Sequence, residues 1–322
     1  MTHMSCGVAS LVLAVAAAGL PASAAEIPPS WAFPVNPPGI QPAPDDGSRR
    51  QQVPGSSRTF TLTQIRDLFT APDWHPGGHP PMPDVVAFGS RPGVFACGYC
   101  HLPNGLGRPE NSSLAGLPAS YIVQQVLDFR SGVRKSSEPA SLPINLMTAV
   151  AKSVNANELK IAAEYFAALK TKPWIRVIET DIVPKTRVGG WMLVEAENGG
   201  TEAIGNRIIE MPENLERTEL RDANSSFIAY VPAGSVKKGE KLASGSTGST
   251  TACAVCHGNG LRGLGPVPAL AGRSPSYIMR QLYDFKHGTR NGAWGALMKP
   301  VVERLSEEDM VAIAAYTASL SP

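Results

Sequence analysis

Cys253-Ala254-Val255-Cys256-His257 reads as Cys-x-x-Cys-His, and the same pattern stands at Cys97-Gly98-Tyr99-Cys100-His101. Two thiols three positions apart lie on one side of a helical turn, where each can add to one vinyl group of haem. The histidine that follows is then held under the iron as its proximal ligand. A structural disulfide, a thioredoxin-like redox pair and half of a zinc ribbon all use Cys-x-x-Cys, but none of them needs the histidine. A zinc ribbon also sets its two pairs roughly 15–20 residues apart, whereas these pairs sit in separate halves of the chain. The pattern predicts two covalently bound haem c groups, attached through Cys97 and Cys100 and through Cys253 and Cys256, with His101 and His257 as iron ligands.

The surroundings of the two motifs are duplicated. A shift of 156 positions carries Leu114-Ala115-Gly116 onto Leu270-Ala271-Gly272, Tyr121-Ile122 onto Tyr277-Ile278, Gln125 onto Gln281, Asp128-Phe129 onto Asp284-Phe285 and Gly132 onto Gly288. So many identities at one offset mean an internal repeat. In each copy Ser120 or Ser276 is expected to cap a helix with the apolar face Ile122, Val126, Phe129 or Ile278, Leu282, Phe285. Beyond that helix the shift falls to 151, aligning Met147 with Met298, Tyr165 with Tyr316 and Leu169 with Leu320. Asn155 with Glu158, and Ser306 with Asp309, mark the start of a closing helix in each copy.

The sixth ligand decides whether an iron transfers electrons or does chemistry. A methionine thioether opposite histidine raises the potential and suits reversible one-electron transfer. Met147 and Met298 are the methionines that recur at matched positions, each expected in a loop before the closing helix, and they are the expected axial ligands. Met82, Met192, Met211, Met279 and Met310 read as core packing. His75 and His79, in a proline-glycine loop, are a rival source of a ligand for the first iron. Tyr121, Tyr277, Arg134 and Arg290 are candidate partners for haem propionates, against plain surface packing.

Five segments follow. Residues 1–24 read as a signal peptide, with an apolar run Gly7–Leu20 and small-x-small cleavage at Ala22-Ser23-Ala24, although no Lys or Arg precedes the run. Cys6 leaves with it, so four cysteines remain, all used by haem. Residues 25–81 form a Pro-rich arm with a short helix expected over Thr63–Phe69, and its aromatic residues argue for packing over the haem units. The haem units are 82–172 and 235–322. Between them, 173–234 holds 10 acidic against 6 basic residues and runs of β-branched residues, an acidic β-rich insertion that could steer a basic partner or simply brace the two units. The formal net charge of the whole chain is +2, which suggests no nucleic-acid role. No transmembrane segment is expected in the mature chain.

The paired Cys-x-x-Cys-His, Leu-Ala-Gly, Tyr-Ile-x-x-Gln-x-x-Asp-Phe-x-x-Gly and late methionine resemble class I cytochrome c domains, arranged as in two-haem cytochrome c4. The resemblance implies a mainly α fold of two tandem domains related by a pseudo-twofold axis. It also implies a periplasmic electron carrier between a dehydrogenase or quinol-oxidising complex and a terminal oxidase or reductase, with no catalytic residue. The alternatives are a two-haem enzyme of the cytochrome c peroxidase kind and a dedicated cytochrome subunit of a dehydrogenase complex. In the family a proline two residues before Leu-Ala-Gly supports the proximal histidine through its carbonyl; Pro268 fits, while the first copy has Ser112. Each unit is small for an apolar core of its own, so haem is expected to complete it. Haem-free protein should show no cooperative thermal transition in either unit by calorimetry.

Overall fold

The computed structural model describes residues 1–3, 27–39, 44–248 and 250–322. The expected signal run and its cleavage site therefore lie outside the described residues. Helices in chain order are α1 Leu62–Arg66, α2 Asp84–Ala87, α3 Cys97–His101, α4 Ala119–Ser131, α5 Leu142–Ser153, α6 Ala156–Ala168, α7 Leu215–Glu219, α8 Ser235–Ala243, α9 Ala254–His257, α10 Pro275–Lys286, α11 Gly295–Val302 and α12 Glu307–Ser319. The strands are β1 Arg50–Gln51, β2 Phe60–Thr61, β3 Ile175–Glu179, β4 Ile182–Pro184, β5 Thr186–Gly189, β6 Met192–Glu195, β7 Thr201–Ala203, β8 Ile209–Pro212 and β9 Phe227–Val231. The fold is helical with some sheet, and two helical units carry the two motifs. Among the described residues no helix is long and apolar enough to cross a membrane.

In the first unit α4 packs on α5 and α6. The i, i+4, i+7 stripe Ile122, Val126, Phe129 is buried, against Leu159, Ala162 and Phe166 of α6. Asn155 and Glu158 close a reciprocal capping box at the head of α6, and Ser306 and Asp309 do the same for α12. Each box satisfies two orphan N–H groups and is worth about 1 kcal/mol. In the second unit α10 and α8 both pack on α12. Gly239 permits the close approach of α8: a Cβ there would stand 1.9 Å from the carbonyl oxygen of Ala312.

Three local expectations are corrected. The helix expected to be capped by Ser120 or Ser276 begins earlier. Proline at position 275 suits the first helical turn, so Ser274 becomes the cap of α10, its hydroxyl accepting from Tyr277 N at 3.2 Å. The equivalent of Ser274 in the first unit is Pro118, which offers no side-chain cap. The arm helix spans Leu62–Arg66, not Thr63–Phe69: a Thr61–Gln64 capping box starts it, and extended backbone at Asp67 ends it. Leu68 and Phe69 then pack outside the helix, Phe69 edge-on to Phe95 with centroids 5.1 Å apart. Met147 and Met298 stand in α5 and α11 rather than in loops. After Pro143 in its first turn, α5 meets no further Gly or Pro and simply continues. In α11, Pro300 is held within the helix.

The region between the units is a three-stranded sheet, β3-β9-β8, and two hairpins, β4-β7 and β5-β6. Strands β3 and β9 run parallel, from Ile175 opposite Phe227 to Glu179 opposite Val231, while β8 is antiparallel to β9. Trp174, Met192 and Phe227 join the core of the first unit, and Ile208 and Val231 join that of the second. The sheet thus shares side chains with both cores. The N-terminal arm crosses the same ground. Ala32 and Phe33 are buried on the second unit, with Phe33 edge-on to Tyr283 at 5.5 Å. Farther on, Trp74 stacks edge-on with Phe60 at 4.6 Å and donates its indole N–H to Leu220 O at 2.7 Å.

This packing can be probed at two positions. Gly239→Ala should destabilise the second unit by roughly 1–3 kcal/mol, as overpacking does, read as a fall in Tm with the first unit's transition unchanged. The other position is in the arm, where His79 Nε2 meets Asp73 at 3.1 Å and Nδ1 faces Pro80 O at 2.8 Å. The Asp73 hydrogen bond raises the His79 pKa, outweighing burial. The imidazolium is therefore the favoured folded form, and its stabilisation is complete below the unfolded value of about 6.5 and lost as pH rises through the folded pKa. Melts from about pH 5 to about pH 8 should show this loss, and His79→Gln should abolish it.

Candidate functional site

A single cavity in the first unit gathers the residues that the sequence assigned to the first haem. Cys97, Cys100, His101 and Met147 all line it, with apolar walls from Ile122, Val126 and Phe129 of α4, Ile144 of α5 and Phe166 of α6. The thiols and histidine enter on α3 and the methionine on α5, so two different helices bring tether and thioether to one space. Both cysteines are free, and burial pushes the Cys97 thiol up to about 12 and the Cys100 thiol up as well. Before haem is attached they would be neutral thiols, unlike the activated thiolates of a redox pair.

His101 is half-buried, and its Nδ1 lies 2.8 Å from Ser112 O. His257 makes the same bond to Pro268 O, also at 2.8 Å. A backbone carbonyl does not depend on its own side chain, so serine serves where the family has proline. Nδ1 donates in both, which leaves Nε2 with the lone pair a metal needs. Burial lowers both imidazole pKa values, keeping the rings in that neutral state. In the second unit the grouping is more open: Cys253 is half-buried, Cys256 is exposed, Val255 is 67% exposed, and Met298 packs at the edge of the α10–α12 core.

The two units meet through a mirrored network. Arg134 donates to Gln125 Oε1 at 2.8 Å, to Tyr277 OH at 3.0 Å and to Gln281 Oε1 at 3.0 Å. Arg290 donates to Gln281 Oε1 at 3.0 Å, to Tyr121 OH at 2.8 Å and to Gln125 Oε1 at 2.7 Å. Each guanidinium also covers the phenylalanine of its own unit, Phe129 at 4.5 Å and Phe285 at 4.3 Å. The two arginines are only 7% and 9% exposed, so surface packing does not describe them. Among the described residues neither has a carboxylate within ion-pair distance. Burial alone would raise the Tyr277 pKa, yet the charges of Arg134 and Arg290 outweigh it and bring the phenol down to about 8. Two cations buried among neutral partners, one of them lining the cavity, call for anions beside them.

These residues fit haem c. Thiols, neutral imidazole and thioether face an apolar space that closes on arginine, matching vinyl groups, iron and propionates in turn. The rival histidines are engaged elsewhere. His75 Nε2 is 2.9 Å from Asp222, and His79 is held by Asp73, Pro80 and Tyr165. The remaining methionines Met192, Met211, Met279 and Met310 are buried in the cores.

Three polar residues, two of them buried and Arg280 half-buried, escaped the sequence reading. Arg273 of the second unit donates to Ser113 O at 2.8 Å and to Ala115 O at 3.0 Å in the first. Glu210 of β8 accepts from Ser274 Oγ at 2.7 Å and Ser276 N at 3.0 Å. Arg280 bonds to Ala32 O at 2.9 Å. The usable signal was a break in the repeat, since Arg273 and Arg280 fall opposite Leu117 and Gln124.

The family model for cytochrome c matches residues 237–321. The thiosulfate dehydrogenase electron acceptor of Thiomonas intermedia is 28% identical over 72% of this chain and 82% of its own. Cytochrome c4 of Azotobacter vinelandii is 26% identical over 70% of this chain and 84% of its own. Among solved structures, the thiosulfate dehydrogenase of Marichromatium purpuratum aligns at 23% identity and a TM-score of 0.47; it covers 80% of this chain, which spans 40% of that one. Fold, motifs and relatives together define an electron-transfer protein with covalently bound haem c. The chain is a two-haem class I cytochrome c, similar over most of its length to cytochrome c4.

Proposed function

We propose that the chain is a periplasmic carrier of single electrons, holding one haem c in each unit. Cys97 and Cys100 would tether the first, whose iron His101 and Met147 would hold; Cys253 and Cys256 would tether the second, whose iron His257 and Met298 would hold. The observation that carries this reading is the convergence of both thiols, His101 and Met147 on one cavity, together with the same residue set in the duplicate. Bound haem c supplies a one-electron couple. The residues do the rest. Each proximal histidine is held as a donor-ready neutral ring, each methionine would offer its thioether to the iron, and Arg134 and Arg290 stand ready for propionate charge. No acid, base or nucleophile is needed.

The donor is read as a dehydrogenase or quinol-oxidising complex and the acceptor as a terminal oxidase or reductase. The name of the Thiomonas relative, an electron acceptor of thiosulfate dehydrogenase, favours a dehydrogenase as donor. Periplasmic residence rests on the export-like run over Gly7–Leu20, and the limits of the five segments belong to the same reading.

The optical spectrum of the oxidised holoprotein tests it. The weak far-red band of sulfur bound to ferric haem should be present, and Met147→Ala and Met298→Ala should each remove about half of it. A haem that lacks the band, is high-spin and binds peroxide would instead mark an open iron and an enzyme.

A further inference from the structure

The interface mirrors itself at Tyr121 and Tyr277, Gln125 and Gln281, Arg134 and Arg290. It stops doing so at position 280. The counterpart of Arg280 is Gln124, which spends its amide on Asp128 of its own helix at 2.8 Å. Arg280 instead leaves the second unit: it donates through Nη1 to Ala32 O of the arm at 2.9 Å and through Nη2 to Pro109 O of the first unit, and it lines the first unit's cavity together with Arg134. Both acceptors are neutral carbonyls. Among the described residues no carboxylate lies within ion-pair distance of its guanidinium. Of the acids that act on it through space, Glu110 lines the same cavity and is paired with Arg108 at 2.9 Å, Glu210 accepts from Ser274 and Ser276 through Oε2, and Asp284 accepts from Ser137 N at 2.9 Å.

An arginine does not give up its proton in a protein. Two carbonyls, one from the arm and one from the first unit, clamp this one in place. Its charge is therefore permanent and positioned, in a medium where charge is poorly screened. Arg134 and Arg290 cancel as a difference between the sites, because each is the other's mirror image. Arg280 does not cancel.

We infer that Arg280, reaching across from the second unit, makes the two iron sites unequal by adding a fixed positive charge to the first, which becomes the preferred seat of a single electron. This rests on the two-haem reading above. In the one-electron-reduced protein, one electron passes from the second-unit iron, Fe(II) going to Fe(III), to the first-unit iron, Fe(III) going to Fe(II). The charge that favours the step is already in place, so no proton accompanies it. Electrons entering at the second unit would thus settle in the first.

Spectroelectrochemical titration of the full holoprotein tests the idea, with the first-unit couple identified as the one that Met147→His moves. Arg280→Gln copies the residue of the other repeat and should shift the first-unit midpoint downward while leaving the second-unit midpoint in place. Arg280→Lys keeps the charge and should restore most of the shift. The inference is overturned if Arg280→Gln moves neither midpoint, moves the second-unit midpoint, or moves both equally. It is also overturned if the glutamine and lysine variants shift alike, since loss of the clamp rather than of charge would then be responsible. Two haems that titrate as one couple in the wild type overturn it as well, whereas a haem content of one per chain, or a high-spin iron, would instead defeat the two-haem carrier reading itself, whatever the variants do.

Discussion

Two buried guanidinium groups that, among the described residues, have no carboxylate in ion-pair contact are the constraint on which this structure turns. Arg134 and Arg290 reach across the meeting of the repeats, each bonded to a tyrosine and a glutamine of the other unit. Such cations are costly to desolvate, and neutral oxygens offset only part of that cost. Their geometry holds the repeats face to face. The short backbone exchange beside them, Lys135 N to Thr289 O at 2.7 Å and Asn291 N to Val133 O at 2.8 Å, locks the same register. Anionic propionates in the adjoining sites would add negative charge beside them, and docking of the units and loading of the cofactor would then be parts of one electrostatic arrangement.

The segments outside the repeat reinforce that arrangement at other points. The sheet over 175–231 contributes to both apolar cores, and Glu210 on β8 fixes the head of α10 through Ser274 and Ser276. The arm touches the second unit through Ala32 and Phe33, then the linker through Trp74 and Leu220. Arg273 adds a direct tie from the second unit to the first. Two small haem units, each short of apolar area, are thereby joined by more than one interface.

Much of this is legible in the order of the residues alone. The motif at 97–101 and 253–257, the capping boxes at 155–158 and 306–309, and the buried face of α4 are written in neighbours one to seven positions apart. Local expectations fail where two nearby signals compete. Pro275 outweighs Ser276 in setting the start of α10, and the stretch around Met147, expected to be a loop, has nothing to stop a helix once Pro143 has opened one. Ser112 reads as a departure in the first site because the family pattern is one of side chains, whereas the bond to His101 is made by a backbone carbonyl that serine also has.

The sequence by itself determined the chemistry: which thiols can tether, which histidines and methionines can bind iron, and that the unit occurs twice. Such features depend on covalent spacing and helical period, which a chain carries wherever it goes. Only the tertiary structure decided what the arginines do. Arg134 finds Tyr277 across 143 positions, and Arg280 finds Pro109 across 171. No periodicity encodes such a pairing, because it exists only once two separately folded cores have closed on each other and excluded the water that would otherwise screen those charges.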